Sequence, residues 1–169
     1  MNAGLLDAYG DEFYQKFVEA RRKNRFEKLK INDEIKNQII HESKTKLSPD
    51  NPSFNFMHND VLYHVLLVEA PTNMNVRELR FGKSLGFRWK GSWVSVILSD
   101  EDLDKIEPDQ AYLLVGYLKE REGKTGRKFL NFTCHGVITM DEVIKHNREV
   151  ITDEEATENA LKEGSQESQ

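Results

Sequence analysis

A stretch of twenty residues from Leu79 to Leu98 gathers residue types that can hold a nucleotide. It contains both tryptophans of the chain, Trp89 and Trp93, with four Lys or Arg residues and no acidic residue. Flat rings stack on bases, and cations neutralise phosphates. A structural interpretation stands beside this one, because aromatic residues favour strands and basic residues keep the outer surface of a sheet soluble. The site residues predicted in this part of the chain are Arg77, Arg80, Phe81, Lys83, Phe87, Arg88, Trp89, Lys90 and Trp93.

Alternation along a strand separates inward from outward side chains in this stretch. The apolar set that ends in Val96 and Leu98 is typical of a core, so Trp93 is predicted to face outward. Phe87 and Trp89 share one side with each other. We expect a single strand over 86–98. A bend at glycine 91 can shift its register, and the alternation on one side of the bend then does not determine which way the residues on the other side point. The prediction is therefore that at least one of the two tryptophans is exposed.

A second basic segment reads "LKEREGKTGRKF" over residues 118–129. Charged residues are common at solvated hairpin tips, but beside the first patch they would form the other side of a groove for phosphates. Phe129 and Phe132 fall on opposite sides of a strand, and Phe129 is expected to be the outward one. The site residues predicted here are Lys119, Arg121, Lys124, Arg127, Lys128 and Phe129.

Catalytic and metal chemistry find little support in the sequence. The five histidines show no HxH, HxxxH or HExxH spacing, and no phosphate-binding glycine motif is present. Cys134 and His135 are neighbours on a predicted strand and therefore face opposite sides, so Cys134 is expected to be a buried core residue. The acidic segment 100–109 lacks the ligand spacing of a calcium loop and is expected to be a solvated helix surface. We predict no enzyme activity, no catalytic residue, no metal and no cofactor.

Charge is distributed unevenly along this chain of 169 residues with net charge −5. Residues 139–169 hold 3 basic and 9 acidic residues, and residues 51–138 hold 11 of each. Six of those 11 acids lie in the segment 100–109 with a single Lys, which leaves 10 basic against 5 acidic residues in the rest of the middle region. A local basic surface is therefore compatible with an acidic protein.

Patterning divides the chain into three parts. Residues 1–50 are predicted to be helical, with one helix over 11–31 and a second that begins after Asn32 as N-cap. The segment "SPDNPS" marks a boundary, and residues 54–145 read as strand, strand, strand, short helix capped by Ser99, strand, strand, with a short closing helix near 139–150. Residues 150–169 are too polar to fold and are predicted to be a disordered acidic tail.

That order of elements is expected for a mainly β domain of five strands closed into an OB-fold barrel, in which Gly116 supplies the sharp bend of a late strand. The segment "YLLVGYLKEREGKTGRKFLNFTCHGVITMDEV" resembles the last strands of OB-fold single-stranded DNA-binding domains, such as those of archaeal and eukaryotic replication protein A. The resemblance extends from about residue 61 to residue 143. It implies nucleic-acid binding on strands two and three, over 77–93, flanked by the loops "APTNMN" and "EREGKTGRK". Zinc-binding cysteines and further barrels of that family are missing here, and the end "GSQESQ" lacks the terminal Asp-Phe of bacterial single-stranded DNA-binding proteins.

The function expected from these features is binding of single-stranded DNA in replication, recombination or repair, with single-stranded RNA and oligosaccharide as alternative ligands. The alternative function is an OB-fold interaction module that contacts replication or repair proteins through the N-terminal helices or the acidic tail. The acidic tail is further hypothesised to compete with nucleic acid, with a purely solubilising role as the other interpretation. No apolar run is long enough to cross a membrane and no signal-peptide pattern is present, so we expect an intracellular protein, cytoplasmic or nucleoid-associated, that is not secreted.

Overall fold

A computed structural model describes residues 3–27, 30–80 and 82–150. Three helices precede the sheet: α1 (Ala3–Tyr9), α2 (Asp11–Glu27) and α3 (Asp33–Lys46). Gly10, at φ 88°, separates the first two helices; the sequence predicts a helical N-terminal segment but no separate helix before residue 11. α3 begins where the sequence predicts, because the Asn32 side chain accepts a hydrogen bond of 2.8 Å from the backbone N–H of Ile35.

Seven strands and two further helices follow. They are β1 (Ser53–His58), β2 (Val61–Glu69), β3 (Arg77–Leu79), β4 (Gly82–Trp89), β5 (Ser92–Leu98), α4 (Asp100–Leu103), β6 (Ala111–Glu122), β7 (Lys128–Thr139) and α5 (140–150). Thr139 caps α5 together with Glu142. The backbone N–H of Glu142 donates to the Thr139 hydroxyl at 3.2 Å, and the backbone N–H of Thr139 donates to the Glu142 carboxylate at 3.0 Å. None of the helices in the described part of the chain is both long and apolar enough to cross a membrane. The predicted acidic tail falls almost wholly on residues 151–169, which lie outside the described residues.

The predicted single strand over 86–98 is wrong. Lys90 and Gly91 adopt φ values of 51° and 70°, the two positive angles of a tight hairpin turn, and the chain reverses between β4 and β5. Arg88 consequently pairs with Trp93 across the hairpin. β1 is additional to the five predicted strands, whereas the short β3 lies within a strand that the sequence predicts over 76–82. β1 and β3 form the two ends of the seven-stranded sheet.

Five of the strands pair in a closed ring, in the order β2, β4, β5, β7, β6 and back to β2. The β5–β7 pair is parallel and the other pairs are antiparallel. A single residue pair, Glu69 with Arg88, joins β2 to β4 and completes the ring. The sheet is therefore mainly antiparallel, with the five-strand ring at its centre.

The buried side chains form two clusters, one inside the ring and one outside it. The inner core contains Leu66, Phe87, Val96, Leu114 and Phe132 among others. The second cluster lies against the outward side of the sheet, where α3 packs its isoleucines over strand residues. It is made of Ile31, Ile35, Ile39, Ile40, Phe54, Phe56, Val65, Leu113, Val115 and Ile138. We call this part of the outer surface the covered face.

The pairing of β6 with β7 is irregular at Gly116, the residue at which the sequence predicts a bend. A Cβ atom at this position would collide with the backbone carbonyl oxygen of Thr133 on the neighbouring strand. The register between β6 and β7 shifts between Val115 and Gly116, so that Val115 pairs with Gly136 and Gly116 with Cys134. Only glycine allows this close approach of two backbones.

Candidate nucleic-acid interface

The part of the outer surface that α3 leaves uncovered runs across β3, β4, β5, β7 and the second half of β6. Strand pairing and alternation place thirteen side chains on it, four of them cationic and none acidic. We call this surface the open face. Its side chains are Arg77, Leu79, Ser84, Arg88, Trp93, Ser95, Ile97, Tyr117, Lys119, Arg121, Phe129, Asn131 and Thr133, and Gly86 lies among them.

Trp93 is the exposed tryptophan, with 59% of its surface accessible. Its neighbours Val94 and Val96 point into the inner core, so alternation turns Trp93 outward as the sequence predicts. The indole lies beside the bare backbone of Gly86, because a Cβ at that position would be 3.6 Å from Cε3 of Trp93. The ring therefore rests against the strand at about van der Waals distance from this position.

Phe129 is the second exposed ring, and it also lies against a glycine. Its accessible fraction is 49%, while Phe132 is fully buried, in agreement with the expected alternation. A Cβ on Gly123 would be only 2.6 Å from Cε2 of Phe129, so the ring occupies the space that any larger residue would need. Trp93 and Phe129 each lie two residues before the Ser95–Asn131 pair and therefore face the same side of the sheet.

Phe87 and Trp89 point the other way. Phe87 has no accessible surface and belongs to the inner core, so its prediction as a base-stacking residue is wrong. Trp89 packs at the margin of the same core and donates its indole N–H to the carbonyl oxygen of Pro52 at 3.2 Å. The Lys90 ammonium lies 4.7 Å from the centroid of the Trp89 ring, a cation–π contact at the hairpin turn. Trp89 therefore has a structural role: it packs against the inner core beside the hairpin turn between β4 and β5.

Arg88 is held by acidic and carbonyl groups. Its guanidinium lies 3.1 Å from Oδ1 of Asp109, 3.2 Å from the carbonyl oxygen of Ala70 and 3.5 Å from Oε2 of Glu69. The Thr72 hydroxyl, 2.7 Å from Asp109, and then Arg88 lower the pKa of that carboxyl below its usual value. Since Glu69 and Arg88 are also the residue pair that completes the ring, this ionic cluster supports the closure between β2 and β4.

Other predicted cations have acidic neighbours or lie in turns. Lys83 faces the inner side of β4 and lies 3.3 Å from Asp100, and Lys128 lies 3.9 Å from Glu120. Lys124 and Arg127 belong to the turn between β6 and β7, beside the Arg121–Phe129 pair. Two predicted residues follow β3: Arg80 is exposed, and Phe81 lies outside the described residues.

Sequence reasoning missed the ring of Tyr117 and the polar residues Ser84, Ser95 and Asn131, which lie beside the two exposed rings, further along the strands. Ser84 and Ser95 lie with their hydroxyl oxygens 3.0 Å apart, and Asn131 pairs with Ser95 on the next strand. These groups can donate and accept hydrogen bonds at the edges of a base. The signal that could have found them is the period-two alternation that starts from Trp93 and from Phe129.

The remaining candidates for chemistry are structural. The Cys134 thiol is buried, donates to the carbonyl oxygen of Gly136 at 3.2 Å, and has its pKa raised above the usual range by burial. Asp102 corrects the expectation of a fully solvated acidic helix, because it is buried in α4 and burial raises the pKa of its carboxyl. Among residues 3–27, 30–80 and 82–150, no three His, Cys, Asp or Glu side chains converge as a metal site.

No protein-family model matches this chain, and a search of the curated proteins finds no significant match.

Proposed function

We propose that the protein binds single-stranded nucleic acid on the open face, and that the five-strand ring is an OB-fold. DNA is the favoured ligand, since the chain resembles the DNA-binding domains of the replication protein A type. The proposed role is non-enzymatic and lies in DNA replication, recombination or repair inside the cell. The observation that carries the proposal is the pair of exposed rings, Trp93 and Phe129, on a strand surface with four cations, of which Arg88 is paired with acids at the margin.

The order of strands supports the OB-fold. Counted along the chain, the ring strands are β2, β4, β5, β6 and β7, with the short α4 between the third and the fourth. OB-folds bind their ligands on strands two and three, flanked by the loops that join strands one to two and four to five. In this chain those parts are β4 and β5, the segment 70–81 and the turn 123–127.

The binding mode combines stacking with phosphate contacts. A base stacks on the solvent side of Trp93 and another on Phe129, since every base has a flat surface to offer. Arg77, Lys119 and Arg121 lie on the same face and neutralise phosphates along the strand. Because the rings are seated on Gly86 and Gly123, little side-chain freedom is lost when a base arrives.

Fluorescence from a single tryptophan tests this directly. In a Trp89→Phe variant the exposed Trp93 is the only reporter, and oligo(dT) should change its emission more than oligo(U) or duplex DNA of equal length. The matched variant Trp93→Phe keeps the half-buried Trp89 and should respond weakly. If the Trp93 reporter responds to none of these ligands at low salt, the proposal is wrong.

The interaction module remains a second candidate because of one observation on the N-terminal helices. Leu6, Tyr9, Phe13 and Phe17 are exposed on α1 and α2, and of the side chains that the structure describes on these helices, none belongs to either buried cluster. Exposed apolar side chains at helical spacing are typical of a docking surface. A Phe13→Glu, Phe17→Glu variant that binds oligo(dT) normally would separate such a role from the open face.

A further inference from the structure

Tyr117 is the first outward residue of β6 beyond the cover of α3. The preceding outward residues, Leu113 and Val115, are buried in the cluster beneath α3, whereas Tyr117 has 43% of its surface accessible. The register shift between Val115 and Gly116 lies between the two environments. The exposed ring of Tyr117 therefore contributes little to either buried cluster and is accessible to a ligand.

The ring of Tyr117 is supported on one side by His64. The two ring centroids are 4.8 Å apart with an angle of 35° between the planes. His64 is itself fixed, because its Nδ1 accepts a hydrogen bond of 2.8 Å from the backbone N–H of Leu118. Tyr117 thus lies against a preset neighbour, as Trp93 and Phe129 lie against their glycines.

The surface between Tyr117 and the other two rings suits a polyanion. Thr133 pairs with Tyr117 and leads back along β7 to Asn131, and Lys119 and Arg121 follow Tyr117 on the outward side of β6. On this path no acidic side chain faces outward; the acids beside the open face, Glu69 and Asp109, lie at its far margin against Arg88. The charge of this path therefore complements a polyanion and not a basic or apolar peptide, and the exposed rings favour a polyanion that carries flat bases.

Distance makes the Tyr117 position separable from the first two rings. Tyr117 is two strands across and four residues along from Trp93, which is about 16 Å over the sheet at a spacing of about 4.8 Å and a rise of about 3.3 Å. One nucleotide cannot reach both positions. Domains of this kind cover roughly 4–16 nucleotides, so a long strand can occupy both and a short one cannot.

We propose that Tyr117, backed by His64, is a third stacking position, and that a bound single strand continues from Trp93 and Phe129 across β7 and β6 to reach it. This inference rests on the proposed function, and it adds a direction and a length to the binding site. It predicts that affinity rises with oligonucleotide length up to the point at which the strand reaches Tyr117, and then levels off.

The test is a length series of oligo(dT), from about 4 to about 16 nucleotides, with the full chain. Tyr117→Ala should weaken binding of the longest oligonucleotides about 5- to 150-fold and leave the shortest unchanged. Trp93→Ala should weaken binding at every length. Tyr117→Phe keeps the ring and should behave as wild type, and Tyr117→Leu keeps bulk without a ring in case the alanine variant unfolds. Tyr9→Ala removes an exposed ring on α1 and serves as the matched control.

The outcomes distinguish the two proposals. If Tyr117→Ala and Tyr117→Leu have no effect at any length, or the same effect at all lengths, while Trp93→Ala weakens binding, the third position is rejected and the proposed function stands. The absence of any effect of the Tyr117 variants on oligonucleotide binding is the result expected if Tyr117 contacts a protein instead. If the wild-type chain binds no oligonucleotide of any length, the proposed function fails and the inference fails with it.

Discussion

The covered face and the open face are two parts of the same outward surface, and they differ in what lies on them. On the covered face, Val65, Leu113 and Val115 meet the isoleucines of α3 and are removed from water. On the open face, Trp93 and Phe129 remain exposed among serines and cations. Apolar side chains are normal on both sides of a sheet that is covered on both sides. Trp93 and Phe129 have no such cover. The comparison with the covered face therefore identifies these two rings as candidates for contact with a ligand.

The largest effect should come from the covered face and concern stability alone. Ile39→Ala removes a fully buried side chain of α3 and should lower the free energy of unfolding by about 2–5 kcal/mol. Urea unfolding measures the loss. The affinity for oligo(dT), measured under conditions in which the variant is folded, should not change. A loss of affinity in folded Ile39→Ala would mean that the two faces are not independent.

The open face should show the opposite behaviour. Trp93→Ala should weaken binding of oligo(dT) by about 1–3 kcal/mol, the usual contribution of one stacked base. Its effect on unfolding should stay within about 0.5 kcal/mol, as for other surface substitutions.

Trp89→Ala is the matched comparison for Trp93→Ala. Since Trp89 packs against the inner core and bonds to Pro52, this variant should lose more stability than affinity. Equal losses of affinity in Trp89→Ala and Trp93→Ala, with both proteins folded, would contradict the division between an inward and an outward tryptophan.

Salt dependence should separate the cations of the two faces. Each phosphate neutralised on a single strand contributes roughly 0.7 to the slope of log affinity against log salt. Lys119→Ala and Arg121→Ala should each reduce the slope by about that amount. Lys44→Ala, an exposed lysine of α3 on the covered side, is the control and should leave the slope unchanged. If the affinity of the wild-type protein does not depend on salt, the cations of the open face do not contact phosphates and only keep the surface soluble.

The inner core provides a reference that belongs to neither face. Burial raises the pKa of the Asp102 carboxyl, so the folded protein binds this proton more tightly than the unfolded chain does. Protonation of Asp102 therefore stabilises the folded protein as the pH falls through the raised pKa. This stabilisation is lost as the pH rises above that pKa. Asp102→Asn should therefore be more stable than wild type at neutral pH, and the difference should shrink toward acid pH. Urea unfolding at two pH values measures this, and oligo(dT) affinity should be unaffected at neutral pH.

The smallest effect is expected from the acidic C-terminal segment. Residues 152–169 carry six acidic residues and one lysine, and this segment can compete with nucleic acid for the cations of the open face. Its deletion should tighten oligo(dT) binding at low salt, and the gain should vanish as screening increases. Stability should not change. Equal affinities of the two proteins at low salt would reject the competition and leave the segment a solubilising or partner-binding role.

Local signals were enough for much of the fold. Asn32 and Ser99 each cap a helix where the sequence predicts, and alternation correctly turned Trp93 and Phe129 outward. The hairpin between β4 and β5 was missed because Lys-Gly is a weaker turn signal than Asn-Gly, although both residues adopt the positive φ that such a turn requires. Phe87 was misassigned for the same reason, since its side depends on the register of that strand.

Tertiary contacts explain the rest of what the sequence could not supply. Val115 and Tyr117 are both outward residues of β6, and only the position of α3 buries one and exposes the other. Asp102 sits in a run of acids that looks solvated, yet the short helix turns it into the interior. Burial of this kind is decided by elements distant in the chain, which no local pattern reports.

The parallel pairing of β5 with β7 has a consequence for how the protein forms. β7 is the last strand of the sheet, and it pairs with both β5 and β6. While the chain is being synthesised, the ring stays open until β7 has emerged from the ribosome, and Phe129 and Asn131 arrive with it. Pairing between distant segments is also slow, because the connecting chain must first be closed into a loop. A nascent chain that lacks β7 therefore carries Trp93 without its companion ring, and the binding proposed for the open face is expected only once β7 has joined the ring.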